Sequence, residues 1–404
     1  MSMKKNKKIV SGGAMAFILL MGIVSLFSDM THEGARSILG EYLSITGASA
    51  AAIGFISGFG ELCGYSLRLI SGMIADKTQK YWPITIIGYC IQVAAIPALA
   101  LVPRNGWIIA GLLIIAERVG KAMKKPAKNT LVSFAASEVG QGKGFAYQEF
   151  LDQLGAFLGP VILFAVCALK GTKDLFNTYT VCFTLLGLPA VITVVLLFVA
   201  KNRYPHPEKF DRTPDTNEKF HMKKPFVFYI CAISFFALGF VDFTLITMHA
   251  AKAALIPDNM LSLLYAGAMA VDAVAALFFG GLYDKYGLKM LMISTLISAP
   301  FAIFVFGMNS TWALIIGVLL WGTGMGAQES IMKAAVSGIV PKSGRSTGFG
   351  IFETAFGVAW FLGSWFMGAL YDVSPTFLII FSVTTQLIAI PLYFVSMKTN
   401  KEKV

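Results

Sequence analysis

The stretch Gly280-Gly-Leu-Tyr-Asp284-Lys285 has a counterpart 208 positions earlier, Gly72-Met-Ile-Ala-Asp76-Lys77. Each copy closes a run of about 20 mainly apolar residues, the length a helix needs to cross a bilayer. A second pair lies at nearly the same spacing. Gly144-Phe-Ala-Tyr-Gln-Glu149 and Gly348-Phe-Gly-Ile-Phe-Glu353 are 204 positions apart, as are Gly159 and Gly363. Two independent matches at nearly one offset indicate a duplicated unit.

Composition says what that unit is made of. Of 404 residues 56% are apolar and 14% charged, with a mean hydropathy of +0.70. Soluble domains carry about a quarter charged residues, so this chain could not coat a soluble surface of its size. Apolar runs between turn and charge signals predict spans over 14–39, 47–74, 82–102, 106–134, 144–169, 177–200, 225–254, 258–283, 288–307, 311–335, 346–371 and 375–397. The expected fold is an all-α membrane protein with 12 transmembrane helices in two six-helix repeats. The one break in composition, 201–224 with Pro205, Pro207 and Pro214, reads as a cytoplasmic linker. It separates an N-terminal bundle over 1–200 from a C-terminal bundle over 225–404. Parallel repeats of this kind bracket a central site in transporters.

The net charge of +11 is topological and does not point to nucleic acid. With the N-terminus cytoplasmic, 26 of the 33 Lys and Arg residues fall in the tails and the inner loops. That count includes Lys121, Lys124, Lys125 and Lys128 at the inner end of span 4 and Lys333 at the inner end of span 10. Cytoplasmic segments collect such residues, so both termini are expected inside. The basic start, Lys4-Lys5-Asn6-Lys7-Lys8, lacks a small-residue cleavage pattern and leads into a retained first helix. The five cysteines (Cys63, Cys90, Cys167, Cys182, Cys231) are scattered through apolar stretches, with neither disulfide nor zinc spacing.

With these residues the chain resembles the major facilitator superfamily. Gly72-x-x-x-Asp76-Lys77-x-x-Lys80 and Gly280-x-x-x-Asp284-Lys285-x-Gly287-x-Lys289 are similar to that family's signature between helices 2 and 3. In the first copy Gln79 stands where the family usually has Gly. A glycine permits close helix approach, and an Asp at a helix end can meet a Lys or a neighbouring helix N-terminus. The pair is therefore expected to act as a gating latch. Gly155-x-x-x-Gly159-Pro160 is similar to the helix-5 motif of antiporters, although Leu163 and Phe164 replace the glycines that usually follow. Arg118 resembles the helix-4 arginine that the family links to proton transfer. The resemblance implies a secondary transporter working by alternating access.

The intramembrane charges supply the candidate site. Arg118 lies about 12 residues into span 4, roughly 18 Å deep at 1.5 Å per residue. A mid-membrane arginine needs a partner, for which Asp29, Glu33 and Asp152 are expected, with Glu117 turned to another face. Asp29, His32, Glu33 and Arg36 project from one stripe of span 1, the expected protonation site. Asp242, His249 and Lys252 follow one another up span 7 at i, i+7 and i+10, which is one helical face. Glu61 and Asp272 sit near mid-span. Glu329 and Lys333 have the spacing of a local salt bridge, and Lys333 reads as a cytoplasmic anchor. Glu149 and Glu353 occupy equivalent inner positions and read as structural.

No Ser/His/Asp context, phosphate loop or metalloprotease helix is present in the sequence, and no ATP-binding motif. The leading expectation is proton-coupled efflux of an amphipathic organic compound. Two alternatives stay open. Export of a divalent metal would use Asp29, His32, Asp242 and His249, since His and carboxylates suit such ions. Uptake of an organic anion would be steered by Arg36 and Arg118. No cofactor or resident metal is expected. The partners are a small-molecule substrate, protons and the lipid bilayer, for a monomer in a prokaryotic inner or plasma membrane.

Overall fold

The computed structural model describes residues 2–48, 50–170, 174–211, 221–256 and 261–401, and among them there is no β-strand. The helices are α1 (Ser2–Ile45), α2 (Ala50–Thr78), α3 (Tyr81–Ala98), α4 (Trp107–Val139), α5 (Gln141–Lys170), α6 (Leu175–Arg203), α7 (Lys224–Gly239), α8 (Phe243–Lys252), α9 (Leu261–Tyr286), α10 (Lys289–Ser298), α11 (Phe301–Gly307), α12 (Thr311–Ile339), α13 (Arg345–Val373) and α14 (Pro375–Lys401). They occupy the twelve expected spans, with spans 7 and 9 each made of two helices.

Both interruptions have local causes. Between α10 and α11 stands Pro300, which has no N–H to continue a helix and whose ring clashes with the carbonyl four residues back. Between α7 and α8, Phe240 turns extended after Gly239. Broken backbone in an apolar setting must find other hydrogen-bond partners, and it does. Ser382 Oγ donates to the Gly239 carbonyl at 2.6 Å, Gln386 Nε2 to the same oxygen at 3.2 Å, and Trp321 Nε1 to the Val241 carbonyl at 2.8 Å. The single-face reading of Asp242, His249 and Lys252 is thereby corrected, because helix geometry lapses between the first and the other two. The side chains of Lys252, Glu61 and Cys63 lie outside the described residues.

Among the described residues nine helical segments are long and apolar enough to cross a membrane. α4 fails that test for an informative reason. It carries Glu117, Arg118, Lys121, Lys124, Lys125 and Lys128 within one unbroken helix.

The chain forms two compact units, residues 1–139 with 151–213, and 140–150 with 214–404. Each repeats the other's packing. In the first, α2 and α3 pack on α4, and α1 on α6; in the second, α9 and α10–α11 pack on α12, and α7 on α14. The glycines matched by sequence do equivalent jobs. A Cβ on Gly155 or Gly159 would strike the carbonyl oxygens of Leu26 and Met30 on α1, and one on Gly363 would strike that of Leu238 on α7. Small residues thus let backbones meet directly, and α5 runs through Pro160 without a break. At one loop of the first unit Asp174 caps α6, accepting from Asn177 N and from Arg104 at 2.6 Å. Those hydrogen bonds hold its carboxyl below the usual range. Residues 204–211 also belong to this unit. The Tyr204 carbonyl accepts from Trp82 Nε1, and Phe210 packs beside Phe17 and Tyr204.

Candidate functional site

In the first unit the polar faces of α1, α3, α4 and the middle of α5 converge. Unbroken α1 keeps Asp29, His32, Glu33 and Arg36 on one stripe. His32 is buried, its Nδ1 2.9 Å from Glu117 Oε1 and its Nε2 3.5 Å from Glu33 Oε1. Glu33 also faces Arg36 at 3.5 Å. Arg118 Nε lies 3.6 Å from Glu117 Oε2. Glu117, assigned by sequence to another face, therefore bridges His32 and Arg118, which corrects that assignment, while Arg118 also acts electrostatically on Glu33, one of its expected partners. A carboxylate with two oxygens can serve two cations at once.

About two and three helical turns further along α4 come two lysines that the orientation count had treated as loop residues. Lys124 and Lys128 are only 5% and 7% exposed. Lys128 Nζ donates to Ser25 Oγ at 2.8 Å and faces Asp152 Oδ2 at 3.4 Å. Lys124 Nζ donates to Ser28 Oγ at 2.9 Å and lies 3.6 Å from the centre of the Tyr89 ring. Ser25 and Ser28 in turn contact Tyr89 and Gln92 of α3. Among the described residues no carboxylate stands within ion-pair distance of Lys124; Asp29 and Asp152 act on it from further off. Lys124 is a buried amine held by a hydroxyl and an aromatic ring. Counting Arg36, Arg118, Lys121, Lys124 and Lys128 against Asp29, Glu33, Glu117 and Asp152, the cluster carries more positive than negative charge.

The second unit offers different chemistry. The break at 240–242 is wrapped in aromatic rings. Phe240 stacks on Trp321 at 5.4 Å and lies near Phe301 and Trp360, while Phe243 meets Tyr265 and Trp321. Asp242 Oδ2 accepts from Trp360 Nε1 at 3.4 Å. His249, on α8, instead pairs with Tyr371 at 2.9 Å, so it and Asp242 have separate neighbours. Asp272 is fully buried on α9. Among the described residues no group of three or more His, Cys, Asp or Glu side chains is arranged to hold a metal ion.

The signature loops are also resolved into roles. Asp284 Oδ1 accepts from Gly142 N at 2.8 Å and Oδ2 from Lys143 N at 3.0 Å, capping the first turn of α5. Gly280 lets α9 close on that turn, where a Cβ would meet Ala146 and the Gly142 carbonyl. Lys285 is exposed. In the first copy Gly72 is buried, Lys77 is exposed, and Asp76 Oδ1 accepts from Tyr81 Oη at 3.0 Å. Gln79 takes the left-handed φ of +55°, matching Gly287 at +61°. The turn survives the missing glycine at about 1–2 kcal/mol of backbone strain.

The model of the Major Facilitator Superfamily matches residues 9–253 and 243–404. The chain belongs to this superfamily. An uncharacterized protein of Mycobacterium tuberculosis (strain ATCC 25618 / H37Rv) is 35% identical over 387 residues, 94% of this chain and 93% of its own. The class H tetracycline resistance protein of Pasteurella multocida is 27% identical over 153 residues, 37% of this chain and 38% of that one. A crystal structure of a bacterial homologue of the iron transporter ferroportin, in an outward-facing state, superposes with a TM-score of 0.75. At 14% identity, covering 95% of this chain and 99% of that one, it shares the fold. This superfamily member is an integral membrane protein and a secondary transporter.

Two features were not read from sequence. Lys124 and Lys128 were missed because lysine between apolar runs looks like a loop. Their i, i+4 spacing on a helix, with Arg118 and Lys121 on earlier turns, was the available signal. Cys167 and Cys182, 15 residues apart, meet at 3.8 Å between sulfurs in the first unit.

Proposed function

We propose that this transporter carries a small amphipathic organic anion, coupled to protons. The observation that carries the reading is Lys124, whose buried amino group has a hydroxyl and an aromatic face but, among the described residues, no carboxylate within ion-pair distance. A desolvated cation is costly, and an anionic solute supplies the counter-charge at binding. The Tyr89 ring beside the lysine suits an apolar or aromatic body on that solute. The proton acceptors on this reading are His32 with Glu33 and Glu117, alongside Asp29. Protonation there competes with or accompanies the anion's charge, which is the physical basis of coupling.

Efflux of an amphipathic compound is the second reading, favoured by the partial match to a tetracycline resistance protein. Metal export draws on the histidines and carboxylates named from sequence and on a fold shared with the ferroportin homologue. A thermal-shift screen of the purified protein against organic acids, cationic drugs and divalent metals separates the three. Organic acids are expected to stabilise it, and stabilisation by cationic drugs or metals alone would reject the anion reading.

The orientation belongs to the same proposal. With the N-terminus inside, the 201–224 segment keeps its basic residues in the cytoplasm. A cysteine replacing exposed His206 in a cysteine-free background is expected to react with an impermeant maleimide only in inside-out vesicles. Reaction in intact cells would reverse the orientation.

A further inference from the structure

The second unit buries another constellation of charge, built from Glu149 on α5, Asp272 on α9, and Glu329 and Lys333 on α12. Lys333 Nζ donates to Glu149 Oε2 at 2.5 Å, their side chains 9% and 3% exposed. This corrects the reading of Lys333 as an anchor at the aqueous boundary. Glu329 stands one helical turn before Lys333 on α12, within electrostatic reach of Glu149. Asp272 acts electrostatically on Glu149, Glu329 and Lys333. Close backbone packing holds the group together. A Cβ on Gly326 of α12 would strike the Asp272 carbonyl, and one on Gly280 of α9 would strike Ala146 of α5.

Three carboxyls share one ammonium here, in a place with little water. Like charges gathered around one ammonium do not all ionise in a protein interior. We infer that Glu149, Glu329, Asp272 and Lys333 form a proton-binding site, with one proton held among its three carboxyls. The proton is taken from water and returned to it, and only an O–H bond forms or breaks.

The other titratable groups nearby are tyrosines. Tyr229 of α7 donates to the Met332 carbonyl at 2.8 Å, Tyr393 of α14 to Gln328 Oε1 at 3.4 Å, and Tyr283 lies on α9 beside Gly142. Arg345 and Glu353 of α13 are buried in the same unit. Glu149 lies on the 140–150 segment whose start Asp284 caps. Loss of the proton sets Glu149 and Glu329 against each other and loosens that segment. This purpose rests on the proton-coupled reading above, whereas the existence of the site does not.

The test uses the whole protein in lipid nanodiscs, without substrate, so it stands or falls apart from the anion reading. Infrared spectra at neutral pH are expected to contain the carbonyl band of a protonated carboxylic acid, shifting in heavy water. Glu329→Gln or Glu149→Gln should each remove one such band, and Asp174→Asn, at a loop of the other unit, should leave it. Lys333→Met removes the ammonium and should enlarge the band by drawing in another proton. This variant keeps the test available should an amide variant fail to fold. A wild-type spectrum without the band overturns the inference, as does a band unchanged in every cluster variant that folds.

Discussion

Replacing Lys124 with methionine is expected to weaken binding of an aromatic carboxylate at least roughly 30-fold while leaving the protein as stable or more so. Truncating one partner of a buried charge pair costs about 2–5 kcal/mol of affinity, and 1.36 kcal/mol is about tenfold. The stability half of the expectation has the opposite sign for a definite reason. In the absence of solute Lys124 leans on Ser28 and Tyr89 alone, and exchanging a desolvated charge for an apolar side chain of similar length is often stabilising. Lys128→Met should behave differently, because it strips Asp152 of a cation at 3.4 Å and lowers the melting temperature. Isothermal titration and thermal melts of the two variants check both statements. Unchanged affinity in Lys124→Met would remove this lysine from the site.

Asp284→Asn is expected to slow transport while leaving solute affinity near wild type. Its two oxygens accept from Gly142 N and Lys143 N, and the amide that replaces one oxygen would point N–H at N–H. Loss of such a cap costs about 0.5–2 kcal/mol. A shift of that size changes the balance between docked and released forms of the 140–150 segment roughly two- to thirtyfold. Affinity is spared by distance. Asp284 lies twelve residues beyond buried Asp272 along α9, roughly 18 Å at 1.5 Å per residue. Transport at the wild-type rate in Asp76→Asn/Asp284→Asn would dismiss the latch.

What was legible in the sequence is what depends on local pattern. Run length marked the twelve spans, and the matched offsets identified the repeat whose glycines now pack α5 on α1 and α13 on α7. The contact of Asp284 with the first turn of α5 is the kind expected of an acid at one helix end near another helix start. What was not legible depends on which helices meet. Glu149 and Lys333 are 184 residues apart, and no local spacing announces their contact. Glu117 was misplaced because neighbours on a helix point 100° apart, yet a long side chain can still reach both ways. The break at 240–242 was hidden because its support comes from Ser382, Gln386 and Trp321, on other helices. The lysines of α4 were misread because depth in the membrane is set by tertiary packing, and charge alone suggested water.

Proteoliposomes holding the wild-type protein or its Lys124→Met variant, given an imposed pH gradient, offer the most direct measurement. Movement of a radiolabelled aromatic carboxylate, a lipophilic cation and a divalent metal would be followed in parallel. The account predicts that the gradient drives net movement of the carboxylate alone, and that the Lys124→Met variant loses it. Gradient-driven movement of the cation or the metal, with none of the carboxylate, would contradict it.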